Sequence, residues 1–476
     1  MNKHGKLLIG GSWKETAEQI NVVNPSNGET IGTTAKADAA DAEAAVDAAY
    51  AAFPDWAALP AIERGKLLLK WHELIEAHQD ELARIMTLEQ GKPLKEAAGE
   101  IAYANSFIQW YAEEGKRVYG ETIPASSPNK RIWVTRQPVG VAAMITPWNF
   151  PASMITRKAA PALAAGCTIV IKPSEETPFT ALRLAELAVE AGIPDGVVNV
   201  VTGDPAEIAG AWQSDSRVRK LSFTGSTRVG KELMKGAADT MKKISLELGG
   251  HAPFIVTEHA DLEKAVYGMI SSKFRNGGQT CVCTNRVYVH ESLFERFSEL
   301  AAQRVSELKV GDGLEEGTEI GPLINAAAAD KVLAQIEDAR SKGAKVLAGG
   351  GRASEAGGGH FVQPTLVAGA TDDMLCMNEE TFGPLAPIAS FRTIDEAVER
   401  ANRSPYGLAA YVFTEHIGEA VRIAERLEFG IVGLNDPLPS TAQAPFGGFK
   451  ESGLGREGGR YGIEEYLEVK YISLGL

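Results

Sequence analysis

The sequence is poor in cysteine, with only four among 476 residues, and it lacks any long uninterrupted apolar run. Four scattered cysteines are too few for a disulfide framework, so we expect reduced thiols. The longest apolar stretch, residues 159–171, is interrupted by Gly166, and it is shorter than the roughly 18 to 20 residues that a membrane span needs. Residues 1–13 have no apolar stretch of the kind that secretory signals carry. We therefore expect a soluble cytoplasmic protein with no membrane partner.

Positive charge is also in the minority. The chain has 48 basic and 62 acidic residues, which gives a formal net charge of −14 at pH 7. Such a field repels phosphate backbones, so we expect no nucleic-acid partner. With 44% hydrophobic and 23% charged residues the composition is that of a folded globular protein. At this length we expect two or more domains.

Histidine is scarce too, with eight residues in the chain. The segment 72–76 (HELIE) begins like a zinc-protease helix, but Glu76 stands where the second metal-binding histidine belongs. The other histidines are scattered, and we expect them to be solvated. The sequence therefore predicts no metal site.

The N-terminal part of the chain is dominated by helical patterns. Apolar positions three and four residues apart predict helices over 41–56, 62–78 and 96–114, so we expect helices to come first. Residues 117–136 alternate polar with β-branched and aromatic side chains around the turn residues 124–129. This pattern predicts a protruding hairpin.

From residue 139 onward, short β-branched runs alternate with helical patterns. Strands are predicted at 139–145, 168–171, 197–201 and 221–224, and a second series at 252–256, 286–290, 345–348, 387–391 and 431–434. This alternation is typical of parallel sheets covered by helices, so we predict two α/β domains. The C-terminal residues 464–473 predict a final strand, which could pair with the hairpin of a neighbouring subunit.

The sharpest local signal is a phosphate-binding motif at residues 223–230 (FTGSTRVG), between an apolar strand and a helix pattern. Glycine lets the backbone approach a pyrophosphate, and the free N–H groups of a helix start favour negative charge. The motif is not GxGxxG. It continues as GxxxxGK to Lys231, but Glu232 stands where a P-loop has Ser or Thr on magnesium, which argues against a nucleoside triphosphatase.

A cysteine follows a glycine-containing loop at residues 278–281 (GQTC), ahead of a predicted strand. A lone cysteine is more often a small buried apolar residue than a catalyst, so its meaning depends on partners. Three candidate partner segments occur, at 146–151 (TPWNFP), 247–250 (ELGG) and 379–384 (EETFGP).

These four segments and the phosphate motif occur in the order and spacing that the aldehyde dehydrogenase superfamily shows, over essentially the whole chain. By these motifs the chain resembles that superfamily. The resemblance implies an α/β fold with a Rossmann-type dinucleotide-binding domain (1–117 and 139–249) and an α/β catalytic domain (250–455). It also implies a small β oligomerisation arm (118–138 and 456–476), and hence a homodimer or homotetramer.

By the same resemblance Cys281 is the nucleophile, whose thiolate attacks the aldehyde carbon. The Asn149 amide and the backbone N–H of Cys281 match the donors that stabilise the alkoxide of the thiohemiacetal. Hydride then passes to the nicotinamide, and Glu247 matches the general base that activates water against the thioester. Relatives that pass the acyl group to coenzyme A generally lack this glutamate, so the resemblance implies a free carboxylic acid as product.

The cofactor positions are carried over in the same way. The matching residues are Trp148 beside the nicotinamide, Gly225 and Ser226 at the pyrophosphate, and Glu380 with Phe382 at the nicotinamide ribose. Lys172 and Glu175, in the sequence KPSE, match the adenine-ribose pair. A carboxylate at Glu175 can accept hydrogen bonds from ribose hydroxyls but repels a 2′-phosphate. This favours NAD over NADP, with NADP as the alternative that some members with an acid here also accept.

Three stretches are similar to the succinate-semialdehyde dehydrogenases of that superfamily: 151–158 (PASMITRK), 274–284 (FRNGGQTCVCT) and 444–457 (APFGGFKESGLGRE). Arg157, Arg275 and Ser440 match positions that bind the distal carboxylate in that subgroup, which implies oxidation of succinate semialdehyde to succinate. The loop 436–439 (DPLP) departs from many subgroup members. Another small aldehyde, such as glycolaldehyde or glutarate semialdehyde, is the nearest rival.

Two further hypotheses stay open at this point. The fold could persist as a non-catalytic dinucleotide-binding structural protein, although all three catalytic matches are present. Cys283 lies two residues from Cys281, close enough that oxidation could join the two sulfurs. A buried thiol that only packs has at least equal weight.

Overall fold

The N-terminal part of the chain consists of short strands, four helices and a hairpin. The computed structural model describes residues 4–476. The elements are β1 (His4–Gly5), β2 (Leu7–Ile9), β3 (Ser12–Lys14), β4 (Gln19–Val23), β5 (Thr30–Ala35), α1 (Ala39–Ala58), α2 (Ala61–Ala77), α3 (Gln79–Gln90), α4 (Leu94–Glu114), β6 (Glu121–Ile123) and β7 (Lys130–Pro138). The predicted helices and hairpin are confirmed, but the expectation that helices come first is wrong. The strands β1, β2 and β3 have only two or three residues each, too few for a recognisable alternation.

Local sequence explains the ends of several helices. Asp38 caps α1 and forms a capping box with Asp41, in which each side chain accepts from the backbone N–H of the other residue. Helix α3 ends at Gly91, whose φ of 88° lies in the left-handed region. Glycine adopts this conformation without steric cost.

The first large sheet has a parallel centre. Its elements are β8 (Val141–Ile145), α5 (Ser153–Ala165), β9 (Thr168–Lys172), α6 (Pro178–Glu190), β10 (Val198–Val200), α7 (Pro205–Ser214), β11 (Val218–Thr224), α8 (Thr227–Ala238) and β12 (Lys243–Glu247). The central order is β12-β11-β8-β9-β10, and β2 and β3 extend it beyond β10. The winding therefore reverses between β8 and β11. In open α/β sheets a ligand crevice forms outside the carboxyl ends of the strands at such a reversal.

The second large sheet is also mostly parallel. Its region contains β13 (Ala252–Val256), α9 (Leu262–Phe274), β14 (Thr284–His290), α10 (Phe294–Ser306), α11 (Ala326–Ser341), β15 (Lys345–Ala348), β16 (Thr365–Ala368), α12 (Leu375–Asn378), β17 (Leu385–Phe391), α13 (Ile394–Asn402), β18 (Tyr406–Gly407), β19 (Ala409–Phe413), α14 (Ile417–Arg426) and β20 (Ile431–Leu434). The strand order is β15-β16-β17-β14-β13-β19-β20. Only β15 pairs antiparallel with its neighbour.

The C-terminal part returns to the sheet and hairpin formed earlier in the chain. It comprises β21 (Phe449–Lys450), β22 (Gly453–Leu454), α15 (Gly459–Glu464) and β23 (Leu467–Gly475). Strand β22 pairs with β12, and β23 pairs antiparallel with β7 over nine residues. The final strand is thus confirmed, but its partner is the hairpin of its own chain and not that of a neighbouring subunit. The order β23-β7-β6 occupies both edges of β7 within one chain.

The two large sheets meet where β12 passes into β13 through residues 248–251. The carboxyl ends of the first sheet therefore lie beside the amino ends of the second. The central strands β8, β9, β13 and β19 are buried along their whole length, as expected of strands covered by helices on both faces. The predicted domain boundaries stay a proposal, and sheet membership would assign β22 to the first unit. Among residues 4–476, no helix combines the length and apolarity that a membrane crossing requires.

Candidate active site

The predicted site residues gather where the two sheets meet, around a cavity of about 290 Å³. Seven of them line it: Trp148, Asn149, Gly225, Ser226, Cys281, Glu380 and Phe382. Seven residues to which the sequence assigned no role also line it: Pro147, Thr224, Leu248, Gly249, Ala328, Lys331 and Thr381. The other predicted residues, Lys172, Glu175, Glu247, Arg157, Arg275 and Ser440, lie outside this lining.

The loop before Cys281 has a left-handed backbone. Asn276, Gly277 and Gly278 have φ values of 53°, 60° and 76°. A Cβ atom at Gly278 would lie 2.2 Å from the carbonyl oxygen of Gly383, so only glycine fits there. This coil leaves Cys281 half-buried, just ahead of the amino end of β14.

Burial raises the pKa of the Cys281 thiol to about 12. The charge of Arg157 lowers this pKa, whereas the carboxyls of Glu247 and Glu380 raise it further. The thiol is therefore protonated at neutral pH. A nucleophilic role requires a base or a positive charge close to the sulfur.

Asn149 lies in the loop after β8 and is buried. Its Nδ2 donates to the carbonyl oxygen of Gln279 over 3.0 Å, and its Oδ1 has no hydrogen-bond partner. An amide NH₂ has two donors, so one N–H is left for an oxygen at the nucleophile. The position suits an oxyanion donor.

Glu247 ends β12 and is buried. Its Oε2 has no hydrogen-bond partner among residues 4–476. Burial and the nearby Glu457 carboxylate raise the pKa of Glu247 well above its ordinary value, although Arg157 and Lys158 lower it. A carboxyl with a raised pKa and a free oxygen can take a proton near neutral pH, as a general base must.

Glu457 holds two buried cations beside this carboxyl. It accepts from Nε of Arg157 and from Nζ of Lys158, and Lys158 also donates to Oγ1 of Thr224 over 2.6 Å. Burial raises the pKa of Glu457, but Lys158 and Arg157 outweigh it and hold the pKa below its ordinary value. Sequence reasoning missed Lys158 and Glu457. The available signal was their position, because they lie within the segments 151–158 and 444–457 on which the subgroup resemblance rests.

The phosphate motif begins α8 at the reversal of the first sheet. The Ser226 side chain caps the helix by accepting from the N–H of Val229 over 3.4 Å. A Cβ atom at Gly225 would lie 2.4 Å from the Phe223 ring, so this turn leaves no room for a side chain. A bare backbone turn leading into free helix N–H groups fits the pyrophosphate of a dinucleotide.

The cavity is also lined by two aromatic rings and the half-buried carboxyl of Glu380. The rings of Trp148 and Phe382 meet edge to face with centroids 5.6 Å apart. Glu380 accepts from the N–H of Gly250 over 2.9 Å. Burial raises the pKa of Glu380 to about 7, although the bond from Gly250 lowers it. These groups fit a flat ring and its ribose hydroxyls.

Lys172 ends β9 and forms an ion pair with Glu175, with 2.5 Å between Nζ and Oε2. The Lys172 side chain is buried, whereas that of Glu175 is 39% exposed. The pair lies at the carboxyl end of a strand beside the reversal, where a nucleotide ribose is expected. Lys172 thus already neutralises part of the charge that would repel a 2′-phosphate.

The two predicted substrate arginines have different surroundings. Arg157 is buried, bonded to Glu457, and its guanidinium lies over the Phe446 ring at 4.0 Å. Arg275 is half-buried and lies over the Phe150 ring at 5.3 Å. Among residues 4–476, no carboxylate lies within ion-pair distance of Arg275. Arg275 is therefore the unpaired cation of the two.

A shared neighbour links these arginines to the nucleophile. Burial raises the pKa of Tyr103, and Arg157, Arg275 and Cys281 all act on it electrostatically. A side-chain hydrogen bond with Arg157 also lowers the pKa of Tyr103. Ser440 is half-buried in the loop between β20 and β21. Its role stays a prediction.

The second cysteine of this loop, Cys283, is buried and has polar contacts inside the protein. Cys283 is buried, its Sγ donates to the carbonyl oxygen of Gly278 over 3.2 Å, and Nζ of Lys273 lies 3.8 Å from it. Burial raises the pKa of this thiol. Its pairing with Cys281 on oxidation stays a hypothesis. Within residues 4–476, no group of three or more His, Cys, Asp or Glu side chains is arranged to hold a metal ion.

Known proteins are similar to this chain in sequence and in fold. The model of the aldehyde dehydrogenase family matches residues 13–472. The chain is 55% identical to succinate-semialdehyde dehydrogenase [NADP(+)] GabD of Escherichia coli, over 99% of this chain and 98% of that one. It is 54% identical to glutarate-semialdehyde dehydrogenase of Pseudomonas putida, with the same coverage. The crystal structure of succinate-semialdehyde dehydrogenase from Burkholderia pseudomallei is similar with a TM-score of 0.98 and 53% identity, covering 99% of this chain and 98% of that one.

Proposed function

The chain belongs to the aldehyde dehydrogenase family and is an NAD(P)-dependent oxidoreductase acting on an aldehyde, and we propose that it oxidises succinate semialdehyde to succinate. The proposal of this substrate rests on Arg275, an unpaired guanidinium six residues before the nucleophile. A guanidinium holds a carboxylate through two parallel hydrogen bonds. An aldehyde with a carboxylate at its far end therefore suits this site. Both relatives compared by sequence are named for aldehydes of this type.

Each catalytic side chain has a place in the proposed reaction. The Cys281 thiol first loses its proton to water, the thiolate Sγ then forms a bond to the aldehyde carbon, and Nδ2 of Asn149 and the Cys281 N–H donate to the oxygen that becomes negative. Loss of hydride from that carbon leaves a thioester. Glu247 then takes a proton from water as the water oxygen bonds to the thioester carbon, and the C–S bond breaks. The products are the free acid and the restored cysteine.

The residues at the cavity fit a nicotinamide dinucleotide, which when bound would accept the hydride. In the proposed binding mode the start of α8, with Gly225 and Ser226, holds the pyrophosphate, and Glu380 accepts from ribose hydroxyls. We propose NAD as the preferred form because Glu175 repels a 2′-phosphate. The Lys172–Glu175 ion pair weakens that repulsion, and the Escherichia coli relative is named for NADP(+).

We also propose that the arm β6-β7-β23 supports a homodimer or homotetramer. Val469 and Tyr471 stand on one face of β23 and are 63% and 59% exposed. Alternate residues of a strand share a face, so these two form an apolar surface that association would cover. A cytoplasmic location stays a prediction of the sequence.

A substrate panel tests the proposal. Initial rates are measured by absorbance of the reduced dinucleotide, with NAD or NADP, for succinate semialdehyde, glutarate semialdehyde, glycolaldehyde and butyraldehyde. We expect kcat/KM for succinate semialdehyde to exceed that for butyraldehyde by about tenfold or more. The Cys281→Ala control should abolish turnover and leave dinucleotide affinity within about twofold, because the thiol takes part only in chemistry.

The panel separates the rivals. A preference for glutarate semialdehyde would mean that the substrate is still an aldehyde with a distal carboxylate, but one with a different number of carbons. A preference for glycolaldehyde or butyraldehyde would contradict the distal carboxylate. Turnover by Cys281→Ala would remove that residue from the nucleophile role.

A further inference from the structure

The start of α4 carries three charged residues that the reaction outlined above does not use. Lys92 precedes the helix, and Glu96 and Glu100 follow at intervals of four residues. Residues four apart lie on the same side of a helix. Lys92 and Glu100 are buried and Glu96 is half-buried. Buried charges are costly unless they are paired and hydrogen-bonded, so the partners of these side chains are informative.

Two of them hold the loop that carries the oxyanion amide. Lys92 forms an ion pair with Glu100, and its Nζ donates to the carbonyl oxygen of Asn149 over 2.9 Å. Glu100 Oε1 accepts from the N–H groups of Ala152 and Ser153, over 3.0 and 3.2 Å, where α5 begins. Together these bonds fix the backbone from the Asn149 carbonyl group to the start of α5.

The third holds the loop that carries the nucleophile. Glu96 Oε2 accepts from the N–H of Asn276 over 2.7 Å, at the residue where the left-handed coil begins. The Asn276 side chain then donates to the carbonyl oxygens of Asn149, over 2.9 Å, and Gln279, over 3.3 Å. The carbonyl of Asn149 is thus bonded by Lys92 and by Asn276 at once. The loop that carries Asn149 and the loop that carries Cys281 are therefore hydrogen-bonded to each other at the carbonyl oxygen of Asn149.

We propose that Lys92, Glu96 and Glu100 are positioning residues that set the distance between the Asn149 amide and Cys281. This inference rests on the proposed function, because the Asn149 amide matters only if an oxyanion forms at Cys281. None of the three touches the reacting atoms. They act through the main chain of Asn149 and Asn276, and an oxyanion donor loses most of its effect when it is displaced by about 1 Å.

Glu96 is the best residue to change, because Glu96→Gln keeps an acceptor oxygen and Glu96→Ala removes it. Glu113→Ala is the matched control, since Glu113 is an exposed glutamate on the same helix. Three quantities are measured: the rate constant of the first-turnover burst of reduced dinucleotide, the rate of Cys281 alkylation by iodoacetamide, and dinucleotide affinity. Alkylation needs the thiolate but forms no oxyanion, so it separates positioning from damage to the nucleophile.

For Glu96→Ala we expect the burst rate constant to fall about tenfold or more, with alkylation and dinucleotide affinity within about threefold of wild type. Glu96→Gln should keep at least about a third of the wild-type burst, and Glu113→Ala should match wild type. The double variant Lys92→Met with Glu100→Gln removes both buried charges together, so it leaves none unpaired, and it should reproduce the Glu96→Ala pattern. If Glu96→Ala does not fold, this double variant decides the question.

Three outcomes would overturn the inference while leaving aldehyde oxidation intact. They are an unchanged burst in Glu96→Ala, a parallel loss of burst and alkylation, and a Glu96→Gln variant as defective as Glu96→Ala. The second of these would indicate a purely structural role. A wild type that oxidises none of the four aldehydes would instead overturn the proposed function, and the inference with it.

Discussion

The guanidinium of Arg157 donates through Nε to the carboxylate of Glu457, 300 positions further along the chain. Both side chains are buried. A guanidinium already bonded to a carboxylate has fewer donors and less net charge to offer a second one. Arg275 has no such partner among the residues described. The structure thus divides the predicted carboxylate site between one paired and one unpaired arginine, and the unpaired one is expected to dominate substrate recognition.

Replacing Arg275 by Leu should therefore raise the KM for succinate semialdehyde by about ten- to hundredfold, since charge-assisted bonds to a carboxylate contribute roughly 1.5 to 3 kcal/mol. Arg275→Lys keeps the charge but not the planar fork and should be intermediate. Butyraldehyde, an uncharged analogue of similar length, should be spared by both changes. Steady-state kinetics with the two aldehydes checks this, and an equal loss with both would rule out the carboxylate contact.

Glu247→Gln should leave the hydride step and stall hydrolysis of the thioester. The amide has nearly the shape of the carboxyl but cannot take a proton from water. Stopped-flow absorbance should show a burst of reduced dinucleotide close to one per active site, followed by a steady rate about a hundredfold or more below wild type. If burst and steady rate fall together, Glu247 acts earlier in the reaction than proposed.

Glu175→Ser should improve catalytic efficiency with NADP relative to NAD, because it removes a carboxylate that repels the 2′-phosphate and frees Lys172 to bind that phosphate. We expect the ratio of the two efficiencies to shift toward NADP by about tenfold. Glu176→Ser, at the next position, is the matched control and should leave the ratio unchanged. A wild type that already uses both dinucleotides equally would contradict the argument at its first step.

Glu380 predicts a dependence of dinucleotide binding on pH. Its pKa is raised to about 7, so the charged acceptor form is present above that pH and is lost as the pH falls through it. The KM for NAD should therefore rise several-fold between about pH 8 and about pH 6, because a neutral carboxyl accepts more weakly from ribose hydroxyls. Glu380→Gln does not titrate and should bind NAD weakly at both pH values. The same pH slope in wild type and variant would assign the effect to another group.

Much of the architecture could be predicted from local sequence. Most strands of the two large sheets and the helices α1, α2 and α4 follow from apolar spacing, because core-facing positions recur at regular intervals along each element. Strands β16 and β19 of the second sheet were not predicted. The strands β1, β2 and β3 escaped this reading because two or three residues are too few to show an alternation. Strands β4 and β5 were missed as well. The partner of β23 escaped it because apolar alternation marks a strand without saying which edge it joins.

The sequence by itself determined the chemical inventory: a cysteine after a glycine loop, an amide after one strand, a carboxylate at the end of another, and a capped helix start for phosphate. Each of these is written within a few neighbouring residues. Only the tertiary structure decided their electrostatics, since Arg157, Lys158 and Glu457 meet across some 300 positions of chain. It also decided that one helix, α4, braces both catalytic loops. Burial and charge pairing depend on which distant segments share a dry interior, and no local pattern encodes that.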